Sequence, residues 1–79
     1  MQITIHYYAK LREERGLEQE VLETDAATPG ELYRELQGAH GLTVDSGVLR
    51  VAVNDEFSSW DAALNDGDAV VFLQPSAGG

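Results

Sequence analysis

Seventy-nine residues without a cysteine allow one small domain and exclude a disulfide framework, thiolate catalysis and a cysteine-ligated metal. Fourteen acidic against five basic side chains give a net charge of −9, which repels phosphate backbones and anionic bilayers, so neither nucleic acid nor membrane is an expected partner. Hydrophobic residues at 43% exclude a disordered chain, the longest apolar run (Ala69 to Leu73) is too short to span a bilayer, and no export signal is visible, so the protein is read as soluble and cytoplasmic.

Met1 to Ala9 opens with alternation. Ile3, Ile5 and Tyr7 fall on one face and Gln2, Thr4 and His6 on the other, which predicts a half-buried strand. Lys10 to Arg15 is charged, ends at Gly16 and reads as a short helical turn or loop. Leu17 to Thr24 interleaves acidic residues among Leu17, Val21 and Leu22, the pattern of an edge strand whose charge discourages strand-to-strand aggregation. Thr28 to Gly41 carries the clearest helix signal. Thr28 suits the N-cap, Pro29 the first helical position and Glu31 the capping box. Leu32, Leu36 and Ala39 then form one apolar face, and Gly41 suits a left-handed end.

Val48 to Val53 predicts a third strand with Leu49, Val51 and Val53 on one face, closed by a turn at Asn54-Asp55. Phe57 to Trp60 suits a short fourth strand, and Asn65-Asp66-Gly67-Asp68 is another turn. Ala69 to Leu73 is apolar on both faces, so it is expected at the centre of the sheet. The expected fold class is α+β, a β-grasp (ubiquitin-like) arrangement: a mixed sheet of four to five strands, one main helix packed on one face, and the first strand beside the last. Residues 1–73 are expected to form this domain and residues 74–79 a flexible C-terminal tail.

Autonomous catalysis has little support. His6 lies on the polar side of the first strand, and His40 ends the helix, where an imidazolium suits the dipole. Neither sits in a metal-binding or catalytic pattern. Ser46, Ser58, Ser59 and Ser76 lack a nucleophile elbow, and the carboxylates are scattered as on a solvated surface. Asp66-Gly67-Asp68 lacks the spaced ligands of a calcium loop, so no metal site is expected.

What remains is the C-terminus. Six residues follow Leu73: Gln74, Pro75, Ser76, Ala77, Gly78 and Gly79. Extended, they reach at most roughly 20 Å. Pro75 cannot continue a ladder, and the side chains then shrink to nothing, which suits threading through a channel where a Cβ would clash. The delivered group is the Gly79 carboxylate, an ionised and poor electrophile that needs activation by a separate ATP-using enzyme. The plain alternative is a frayed end on a binding module.

At these residues the chain resembles the small-subunit family of molybdopterin synthase, which are ubiquitin-like sulfur carriers. The resemblance spans Ile3 to Glu13, Val51-Ala52-Val53-Asn54, Leu64 to Leu73 and the final Gly78-Gly79. It implies that an E1-like enzyme adenylates Gly79, and that a sulfur donor then converts it to a thiocarboxylate. It further implies that Pro75, Ser76, Ala77 and Gly78 thread into the large synthase subunit. Phe72, Leu73 and Gln74 are the expected partner-binding residues. Two carriers on a large-subunit dimer, a heterotetramer, would supply both dithiolene sulfurs to cyclic pyranopterin monophosphate. The chain itself would bind no cofactor and have no autonomous activity, ATP belonging to the activating enzyme. Gln74-Pro75 stands where the family commonly has Pro-Pro, and Ser76 where valine is frequent. Carriers for thiamine, tRNA thiolation or cysteine synthesis, and ubiquitin-like modifiers joined to lysines, use the same activated end.

Overall fold

The computed structural model describes residues 1–75, so Ser76, Ala77, Gly78 and Gly79 lie outside the described residues. Strands β1 (Gln2–His6), β2 (Gln19–Glu23), β3 (Arg50–Val53), β4 (Glu56–Ser58) and β5 (Ala69–Leu73) form one sheet in the order β2-β1-β5-β3-β4. The central pair β1–β5 is parallel, with Ile5 beside Val70, and the other pairs are antiparallel. This is the β-grasp fold, with the apolar β5 at its centre. Helices α1 (Ala9–Arg15) and α2 (Pro29–His40) complete it.

The sheet has two unlike faces because side chains alternate along each strand. Ile3 and Ile5 from β1, Tyr7 just after it, Val51 from β3, and Val70 and Phe72 from β5 point inward and are at most 1% exposed. Leu32, Tyr33 and Leu36 of α2 and Leu11 of α1 complete that core. Helix α2 starts as its sequence dictates: Thr28 Oγ1 accepts from Glu31 N at 3.2 Å, and Glu31 Oε2 accepts from Ala27 N at 3.1 Å. It stops at Gly41, whose φ of 66° places it in the left-handed region.

Several boundaries differ from the sequence reading. Ala39 is exposed and Tyr33 buried. The apolar stripe centres on Pro29, Leu32, Tyr33 and Leu36, leaving Ala39 at its margin in the last turn. The first strand stops at His6, because Ala9 already opens α1, the helical one of the two alternatives expected for this stretch. Leu17 and Glu18 precede β2, which is an edge strand. Ser46–Val48 is a 3-10 turn capped by Asp45, so β3 begins at Arg50. Trp60 leaves the short β4 and stacks on Phe72 with ring centroids 5.7 Å apart.

Candidate functional site

Strand β5 ends at Leu73, and exposed Gln74 and Pro75 lead away from it. The strand pairs with β1 through Val71 and with β3 as far as Leu73, so its last residue is held in the sheet by Arg50. Ser76, Ala77 and Gly78, expected to thread, and Gly79, expected to react, lie outside the described residues.

The expected docking residues divide. Phe72 is turned into the core, 1% exposed, against Trp60 and Tyr33. Alternation along β5 puts it on the face opposite Leu73, so its side chain cannot be a partner contact. Leu73 is half-buried on the outer face and Gln74 is exposed.

The outer face contains what the sequence reading overlooked. Phe57 pairs across the strands with Ala52, and Ala52 with Val71, so the three form one row. Together with Tyr8, Asp55 and Leu73 they line a shallow hollow of about 260 Å³. Phe57 is 71% exposed and Tyr8 55%. Large aromatic side chains left in water beside a strand end mark an interaction surface. An exposed aromatic in a short strand was the available signal for Phe57. Tyr8 lay hidden, because Tyr7 beside it satisfies the alternation.

Local chemistry holds the rim of this hollow. Asn54 and Asp55 have φ of 52° and 70°, the left-handed pair of a two-residue hairpin between β3 and β4. Asn54 Nδ2 donates to Asp68 Oδ1 at 2.9 Å and Asn54 Oδ1 accepts from Ala69 N at 2.9 Å, tying the hairpin to β5. Asp68 Oδ2 accepts from Asn65 N, and Asp66 Oδ1 from Gln2 N at 2.6 Å. Both carboxylates of the Asp-Gly-Asp turn therefore serve the fold. At the other end, Tyr7 Oη donates to Glu20 Oε2 at 2.6 Å, and Arg15 donates to both Glu20 oxygens at 2.9 Å. The Arg15 hydrogen bonds hold the Glu20 carboxyl below the usual carboxylate range. Burial, and then the hydrogen bond to Glu20, push the Tyr7 phenol up. This cluster fixes α1 on β2 and so positions Tyr8 at the helix N-cap.

Among the described residues, no catalytic constellation accompanies the patch. His6 faces outward between Gln19 and Val71, and His40 closes α2. Among the described residues, no group of three or more His, Cys, Asp or Glu could hold a metal, and no helix is long and apolar enough to cross a membrane. The described residues present an outer apolar face beside the end of β5.

The model of the ThiS family matches residues 5–79. The chain belongs to the ThiS family. It is 32% identical to a molybdopterin synthase sulfur carrier subunit of Haemophilus influenzae, over 98% of this chain and 99% of that one. The ThiS-family chain also superposes on a protein–protein complex of subunits 1 and 2 of molybdopterin-converting factor from Helicobacter pylori. There the TM-score is 0.69 at 28% identity, with full coverage of both chains. The crystal structure of SAMP1 from Haloferax volcanii is similar with TM-score 0.81 at 26% identity, again over the whole of both chains.

Proposed function

We propose that this ThiS-family chain is the sulfur-carrying small subunit of a molybdopterin synthase. An E1-like enzyme joins the Gly79 carboxylate to AMP with loss of pyrophosphate, and a sulfur donor then displaces AMP to leave a thiocarboxylate. The loaded tail, residues 74–79, enters the large subunit and gives its sulfur to cyclic pyranopterin monophosphate. The catalytic groups acting on the pterin belong to the large subunit. Two carriers on a large-subunit dimer deliver the two dithiolene sulfurs.

The observation that carries this reading is a conjunction. The end-to-end likeness to a sulfur carrier subunit coincides with an open apolar face, made of Tyr8, Ala52, Phe57, Val71 and Leu73, beside the strand from which the tail departs. A large subunit seated on that face meets the tail at its base. The test is intact-mass analysis after co-expression with the cognate activating enzyme and sulfur donor. The expected product is heavier by the difference of sulfur for oxygen at Gly79, and deletion of Gly79 removes it. An unmodified chain under those conditions refutes the reading.

The likeness to SAMP1 favours a second reading, a modifier joined through Gly79 to lysines of other proteins. Branched Gly79–lysine peptides in digests, without the thiocarboxylate species, identify that case.

A further inference from the structure

The sequence offers a net charge of −9 without saying where it lies. The fold separates it along the strands. Lys10, Arg12 and Arg15 on α1 and Arg50 at the start of β3 lie at the end of the sheet where β1 and β5 finish. Glu13, Glu14, Glu18 and Glu20 stand near them, so that end is close to neutral. The excess negative charge gathers at the opposite end. Glu23 pairs there with Gln2, Asp66 caps Gln2 N, and Asp68 precedes β5. Asp55 forms the hairpin turn at that end of β3.

Two of these charges border the outer apolar face. Arg50 is the cross-strand partner of Leu73, exposed, with no ion pair among the described residues. By contrast Arg12 pairs with Glu18 at 2.8 Å and Arg15 with Glu20 at 2.9 Å. Asp55 lines the hollow at its far rim. The cation therefore sits beside the origin of the tail and the anion at the end away from it.

An apolar patch binds without direction, since burial of area is indifferent to rotation in the plane of contact. Only one rotation sends the tail into a channel. Opposite charges at the two ends of the patch penalise the others by like-charge contact and by desolvation without a partner. We propose that Arg50 and Asp55 form an orientation key for docking. Arg50 pairs with an acidic group at the mouth of the partner's tail channel, and Asp55 pairs with a basic group at the opposite rim. This rests on the reading that the outer face docks the large synthase subunit.

The test is stopped-flow association of the full chain with its cognate large subunit at low and high salt. Arg50→Glu is expected to slow association about ten-fold at low salt, and Asp55→Asn about three-fold, both converging on wild type at high salt. Asparagine keeps the left-handed backbone that residue 55 requires. Arg34→Glu on α2 and Asp25→Asn make the same changes in net charge away from the face, and should alter the rate less than about two-fold. Equal effects of Arg50→Glu and Arg34→Glu overturn the key in favour of net charge alone. Phe57→Asp separates the two layers of the argument. If it blocks binding while Arg50→Glu is harmless, the key falls and the docking face stands. If Phe57→Asp binds normally, or the wild-type chain does not bind the large subunit, both fall.

Discussion

Phe72 and Phe57 carry the same side chain on opposite faces of the sheet, so truncating each to alanine isolates what its environment contributes. Phe72 is 1% exposed and contacts Tyr33 and Trp60 at centroid distances of 5.0 and 5.7 Å. Its removal leaves a cavity under β5, and Phe72→Ala is expected to cost about 3–5 kcal/mol, of which each aromatic pair accounts for about 0.5–1.5. A chain of this size has roughly 4–12 kcal/mol in total. Phe72→Ala therefore consumes about a quarter or more of the stability and lowers Tm by about 12–40 °C. Phe57 is 71% exposed, and Phe57→Ala should stay within about 0.5 kcal/mol of wild type. Urea denaturation read as a change in midpoint at constant slope measures both. Binding to the large subunit completes the contrast, since Phe57→Ala should weaken it several-fold in a fully folded protein. A loss below about 1 kcal/mol for Phe72→Ala, or comparable losses for the two variants, refutes the division of the faces.

Further outcomes test the cluster, the backbone and the tail. Because Arg15 depresses the folded pKa of Glu20, the cluster's contribution is complete above the unfolded value of about 4.3 and is lost as pH falls through the folded one. Glu20→Gln should cost about 1–3 kcal/mol at pH 7 and decline less steeply in acid; parallel urea-midpoint profiles for variant and wild type would contradict this. Ala9 holds φ at 49°, so Ala9→Gly should stabilise by about 1 kcal/mol in thermal melts, and a loss would show that the strain is not there. Gly78→Val should leave the melting curve unchanged and abolish sulfur transfer in a reconstituted synthase assay, because a β-branched side chain obstructs a narrow channel. Full activity in that variant argues against close threading.

Where local patterns were strong, they decided the structure unaided. Alternation in residues 2–7 set the buried face of β1, the Thr28–Pro29–Glu31 and Gly41 signals set both ends of α2, and continuous apolarity placed β5 at the centre of the sheet. Each of these depends on residues within a few positions of one another. The outer apolar face is different in kind. Tyr8, Ala52, Phe57, Val71 and Leu73 come from distant parts of the chain and meet only when β1, β5, β3 and β4 lie side by side. Phe72 and Leu73 are equally apolar in sequence, and only the register of β5 against β1 and β3 turns one into the core and leaves the other at the surface. The placement of Arg50 and Asp55 at opposite ends of that surface was invisible for the same reason. Charge can be counted along a chain, but its direction exists only once the strands are paired.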